Sequence, residues 1–186
     1  MKVLLLALLT LSSLSAKALV YVEMQTSMGV MEIELDDSRA PITVENFLQY
    51  ADAGFFNGTI FHRTIKNFVI QGGGHLPDMS ELPTHARIRN EATNGLSNLR
   101  GTLGMARTND IDSATSQFFI NTVDNVRLDH QPGNPARYGY AVFGRVTQGL
   151  AVVDAIQNVT THSVGEYDDV PVTPILILSV TRQQLP

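Results

Sequence analysis

The feature that most restricts this fold is a recurrence of short strand-like segments, punctuated by turn residues, with only two stretches at helical spacing. Tyr21–Thr26 alternates apolar and polar residues, Ser27-Met28-Gly29 turns the chain, and Val30–Leu35 alternates again. In that second segment Glu32 and Glu34 share one face and Ile33 and Leu35 the other, which predicts a hairpin with one wet side. Further segments are Ile60–Ile65, Phe68–Gln71, Thr102–Ala106, Gln117–Asn121 and Ala141–Phe143. The last, Ile175–Val180, is apolar on both faces and is expected deep in the sheet. Pro41–Ala51 carries apolar residues at helical spacing, with Thr43 the expected N-cap and Gly54 the stop. Gly149–Asn158 predicts a second helix with Leu150, Val153, Ala155 and Ile156 inward. About eight strands and two isolated helices predict a mainly β chain, a closed or nearly closed antiparallel barrel.

Residues 1–18 stand outside this pattern. Lys2 gives a positive start, Val3–Leu11 is apolar apart from Thr10, and Ala16-Lys17-Ala18 puts small residues at both specificity positions of a cleavage site. That is the pattern of a secretory signal peptide, leaving residues 19–186 as the mature domain. Its apolar run is too short for a span, which takes about 17–25 residues, so no membrane association is expected after cleavage. Without Lys2 and Lys17, 11 basic residues face 18 acidic ones and the net charge moves from −5 to −7. Such an acidic balance argues against nucleic-acid binding, which needs a dense basic face. The chain has no Cys, which excludes a disulfide framework, a thiolate zinc site, an iron–sulfur cluster and a Cys nucleophile.

Two clusters could carry chemistry. Phe61–Gly73 holds Arg63 and Gln71, which can share a face with Phe68 beside them. Met105-Ala106-Arg107 is followed by Ser116–Asn121, where alternation sends Phe118 and Phe119 to opposite faces, one to the core and one to a groove. The plainer reading of both is aromatic core packing with a structural arginine. Sharper alternatives fail. Gly72-Gly73-Gly74 lacks the Lys-Ser/Thr of a phosphate loop, no G-x-S-x-G elbow occurs, and His75 and His85 do not have zinc-site spacing. Asp110-Ile111-Asp112 opens like a calcium loop but lacks the later ligands. Neither metal nor cofactor is expected.

The run FHRTIKNFVIQGG at 61–73 resembles the F-H-R-x-I-x-x-F-x-x-Q-G-G signature of cyclophilin-type peptidyl-prolyl cis-trans isomerases. GTLGMA at 101–106, SQFFI at 116–120 and Val142-Phe143-Gly144 follow in the family's order, so the similarity covers roughly residues 20–182. The resemblance implies an eight-stranded antiparallel closed β-barrel capped by two α-helices, and rotation about Xaa-Pro bonds during folding of exported proteins. By position, Arg63 is similar to the catalytic arginine and Gln71 to the polar group holding the substrate backbone. Phe68, Val69, Phe119 and Leu128 resemble the walls of the proline pocket, and Ala106-Arg107 the segment whose main chain pairs with the peptide. Tyr140 stands where the family often has His, and Arg127 where it often has Trp. Those departures imply weak cyclosporin binding, and Tyr140 is similar to the bacterial exported branch. The segment from Asp129 to Gly139 is a few residues longer than the family pattern. Expected partners are proline-containing unfolded or partly folded polypeptides, met by a monomer in the periplasm, with secretion as the second choice. A proline-binding chaperone module with little turnover is the alternative, and a small-ligand barrel a remoter one.

Overall fold

The computed structural model describes residues 20–183, so the expected signal peptide lies outside the described residues. In chain order the elements are β1 (Val20–Thr26), β2 (Gly29–Leu35), α1 (Pro41–Asp52), β3 (Phe61–Ile65), β4 (Val69–Gly72), β5 (Thr102–Met105) and β6 (Phe118–Asn121). There follow β7 (Val142–Gln148), α2 (Leu150–Gln157), β8 (Thr161–Val164), β9 (Tyr167–Pro171) and β10 (Ile177–Gln183). Eight strands form one antiparallel sheet in the order β10-β1-β2-β7-β5-β6-β4-β3, and β8 and β9 pair as a separate hairpin.

The sheet curls until its edges touch. Ile60 bridges Leu176, flanked by bonds from Phe61 N–H to the Ile175 carbonyl (3.0 Å) and from Ile177 N–H to the Thr59 carbonyl (2.8 Å). Contact between β3 and β10 is confined to this junction, and β9 packs against β3. The barrel is therefore a curled half-barrel, less fully closed than expected. β10 is accordingly an edge strand. Ile177 and Val180 are buried but Leu178 is 48% exposed, so this strand is not buried on both faces as its composition suggested.

Inside the curl, Phe47 and Tyr50 of α1 meet Phe56, Phe118 and Phe143. Phe118 sits edge-on to both Phe47 (5.5 Å) and Phe56 (5.7 Å), a geometry aromatic rings favour beyond the area they bury. α1 begins at Pro41 without a cap from Thr43; the cap residue is Ala40. Its first N–H groups are met instead by Glu91, whose carboxylate accepts from Ile42 N (3.1 Å), Thr43 N (2.8 Å) and Thr43 Oγ1 (2.7 Å). A carboxylate there satisfies orphan donors and complements the helix dipole. At the other end Gly54, at φ +66°, lets Gly54 N–H reach the Ala51 carbonyl and Phe55 N–H the Tyr50 carbonyl, closing the helix as expected. α2 buries Val153 and Ile156 and packs Leu150 against the core, whereas Ala155 faces solvent, contrary to expectation.

Candidate active site

A single cross-strand row builds the site. Arg63 on β3 opposes Gln71 on β4, Gln71 opposes Phe119 on β6, and Phe119 opposes Gly104 on β5. Directly opposed residues share a face, so Arg63, Gln71 and Phe119 project into one groove, and Gly104 lies beneath the Phe119 ring. The register depends on a bulge: Phe61 pairs with Gly72, yet Arg63 pairs with Gln71. The extra residue, His62, brings Arg63 into register with Gln71 where regular pairing would have put His62. Arg63 Nη1 makes a long 3.5 Å contact with Gln71 Oε1, and Gln71 Nε2 donates to Gln117 Oε1 at 3.0 Å. No carboxylate pairs with Arg63 among the described residues.

The groove encloses about 580 Å³, and all nine residues singled out in the sequence line it: Arg63, Phe68, Val69, Gln71, Ala106, Arg107, Phe119, Leu128 and Tyr140. Phe119 stands edge-on to Tyr140 at 5.6 Å, while its partner Phe118 turns into the core. The Arg107 guanidinium lies 4.6 Å over the Tyr140 ring and its Nε donates to the Gly139 carbonyl. Arg127 covers Phe68 in the same manner, at 4.5 Å.

A buried polar network holds two of these walls. Asp129 accepts from Ser97 Oγ, from Asn98 N (2.7 Å) and from Asn98 Nδ2 (2.9 Å). Asn98 Oδ1 accepts from Asn121 Nδ2, Asn121 Oδ1 accepts from Asn125 Nδ2, and that same amide donates to the Phe68 carbonyl at 2.8 Å. The chain of bonds joins the residue after Leu128 to the backbone of Phe68. Asp129→Ala leaves donors of the fully buried Asn98 without partners. It is expected to cost about 3 kcal/mol of stability, measured by denaturant unfolding, and to raise KM more than it lowers kcat.

The sequence reading missed several groove residues. Gln117, His62, His75, Glu81 and the Glu166–Asp169 end of the β8–β9 hairpin all line it. His62 and His75 are 4% and 2% exposed, with ring centroids 4.1 Å apart. His75 Nε2 is 3.3 Å from Glu81 Oε1, but the alignment is too poor for a hydrogen bond. Burial, then His75 and Arg63, push the His62 pKa down to about 3; burial also lowers that of His75, against the pull of Glu81. A histidine titrating lower in the folded than in the unfolded chain leaves stability intact above about pH 6.5, and stability falls as pH drops from there toward 3. For His62 the loss at pH 5 is about 2 kcal/mol relative to neutrality. Unfolding measured at both values should show a smaller difference for His62→Phe than for the parent. Among the described residues no group of three or more His, Cys, Asp or Glu is arranged to hold a metal.

Fold and groove together define a curled β-sheet protein with an open groove that sets Phe68, Val69, Phe119 and Leu128 beside an arginine that no acid neutralises among the described residues. Its relatives narrow that class. The sequence model of the family described as cyclophilin type peptidyl-prolyl cis-trans isomerase/CLD matches residues 21–182. Peptidyl-prolyl cis-trans isomerase A of Dickeya dadantii is 53% identical, covering 86% of this chain and 82% of its own. The cyp18 isomerase of Streptomyces antibioticus is 56% identical over 85% of this chain and 95% of its own, and isomerase B of Escherichia coli 49% over 86% and 98%. A solved cyclophilin-type isomerase of Cryptosporidium parvum superposes with a TM-score of 0.73 at 25% identity, covering 91% of this chain and 100% of that one. The chain belongs to the cyclophilin-type peptidyl-prolyl cis-trans isomerase family.

Proposed function

We propose that this protein accelerates rotation about Xaa-Pro bonds in exported polypeptides, and that Arg63 does so without covalent chemistry. The observation that carries this reading is the row of Arg63, Gln71 and Phe119 across three adjacent strands, with no acid on Arg63. Amide resonance keeps the Xaa-Pro bond planar behind a barrier of about 18–20 kcal/mol. Twisting breaks that resonance and returns a lone pair to the prolyl nitrogen. A guanidinium aimed at that nitrogen interacts with the twisted state and not with the planar one, which lowers the barrier by differential binding. Phe68, Val69, Phe119 and Leu128 grip the pyrrolidine ring, while Gln71 and the backbone at Ala106-Arg107 hold the flanking chain. Excluding water strengthens the contact between Arg63 and nitrogen.

The signal-like residues 1–18 support export, to the periplasm if the host is bacterial like the relatives, where the enzyme acts as a monomer on folding chains. Arg127 and Tyr140 at the pocket mouth support weak cyclosporin binding. A protease-coupled assay on a short Xaa-Pro peptide tests the catalytic reading: a parent rate equal to that of Arg63→Ala overturns it. Cell fractionation with sequencing of the mature N-terminus tests export, and an intact Met1 in the cytoplasm refutes it.

A further inference from the structure

The groove extends past the proline pocket in both directions, and its two ends carry opposite charge. The row that begins at Arg63 starts on β3, against which β9 packs, and there the groove is walled by Glu81, Glu166, Asp168 and Asp169. The row ends on β5, whose continuation carries Arg107. At that end the groove opens into a second cavity of about 250 Å³ lined by Arg107, Arg127 and Arg137, and both cavities share Arg107, Leu128 and Tyr140.

Neither set of charges is neutralised internally. Among the described residues no basic side chain pairs with Glu166, Asp168 or Asp169, and no carboxylate with Arg107, Arg127 or Arg137. The carboxylate at the basic end, Asp129, is occupied by Ser97 and Asn98. At the acidic end His62 and His75, each nine-tenths buried or more, line the groove with ring nitrogens that lack hydrogen-bond partners. Buried and uncharged, they neither cancel the carboxylates nor repel a cation bound beside them.

We propose that the groove selects Xaa-Pro segments by charge pattern. It takes a Lys or Arg on the flank that crosses the β8–β9 hairpin and an Asp or Glu on the flank that crosses the Arg127–Arg137 loop. The inference rests on the isomerase reading and names the substrate class for the same groove. It also gives the Asp129–Gly139 segment a task, because that loop brings Arg137 to the cavity.

Three peptides with one Ala-Pro core provide the test: Lys before and Glu after the proline, the reverse arrangement, and a neutral version. The kcat/KM of each is measured with the parent protein, with Glu166→Gln/Asp168→Asn/Asp169→Asn, and with Arg127→Gln/Arg137→Gln. One charged arrangement should exceed its reverse about tenfold at about 0.01 M ionic strength, the scale of a few exposed charge pairs. The ratio should approach one at about 1 M, where the screening length falls to about 3 Å. Both variants should shrink it at low salt. Comparing two peptides on the same variant cancels any general loss of fold or rate. Equal rates for the two arrangements overturn the proposal, as does a ratio that survives high salt or both variants. If no peptide, the neutral one included, is turned over, the isomerase reading itself has failed.

Discussion

Arg63→Ala is expected to lower kcat/KM for a short Xaa-Pro peptide by about 10²- to 10³-fold, the scale on which one preorganised donor to a transition state acts. Most of the loss should appear in kcat, because on the proposed mechanism the guanidinium meets a lone pair that exists only in the twisted amide. Arg63→Lys should recover little. The Arg63 guanidinium lies over the groove from a half-buried position, held beside Gln71, and an ammonium on a flexible stem neither spans that reach nor presents a planar fork. Folding is not the cause of the expected loss, since Arg63 makes no ion pair among the described residues and only a 3.5 Å contact to Gln71. Near-parent turnover in Arg63→Lys would show that bare charge suffices. Near-parent turnover in Arg63→Ala would remove the mechanism altogether.

Gly104→Val should be the most damaging substitution that touches no polar group: about 3 kcal/mol of stability lost and kcat/KM reduced more than tenfold. A Cβ at Gly104 meets Phe119 Cζ at 2.2 Å and Cε2 at 2.5 Å, far inside contact distance. The ring can yield only by swinging into the groove it lines. It is 4% exposed and set edge-on to Tyr140, whose own N–H is tied to the Leu128 carbonyl at 3.0 Å. Even Gly104→Ala forces the Phe119 ring, a wall of the groove, to move. Adding Phe119→Ala should restore stability to Gly104→Ala while leaving activity low, and a thermal-unfolding double-mutant cycle measures that coupling. Additive stability losses would show that the two residues do not compete for the same space.

Much of this arrangement is legible in the chain itself, and the gaps have physical causes. Period-two alternation placed the β1–β2 hairpin because its inner face is buried and its outer face is not, and the inner strands, buried throughout at β6, were legible as short β-prone runs between turn residues. Ile175–Val180 was expected deep in the sheet, but composition reports apolar content and not position: β10 is an edge strand and Leu178 is 48% exposed. The β8–β9 hairpin escaped notice because Thr161–Val164 and Tyr167–Pro171 are mostly polar, and only Gly165 in the tight turn between them, at φ +59°, signals the pairing. Thr43 has the chemistry of a cap, but Glu91, remote in sequence, takes that role, and no local window contains that information. Arg63, Phe68, Gln71, Ala106, Arg107 and Phe119 stood out from residue type and alternation, Val69, Leu128 and Tyr140 came from motif similarity, and all nine meet in one groove. Gln117, directly before the SQFFI aromatics, was within reach as the next polar residue on the same strand face as Phe119. His75 was not, since its pairing with His62 exists only after β3 and the segment following β4 are brought together.

The row of Arg63, Gln71, Phe119 and Gly104 also separates what can change from what cannot. Its members sit on strands knitted to neighbours on both sides, or, for β3, to β4 and the barrel junction, so a change in any one disturbs the others. The charged ends of the groove hang on a hairpin outside the main sheet and on the loop from Asp129 to Gly139. Loops of that kind tolerate insertion and exchange far better than the scaffold presenting them. On the proposed charge readout, exchanging these two appendages should redirect which chains are served while leaving the reaction itself unaltered.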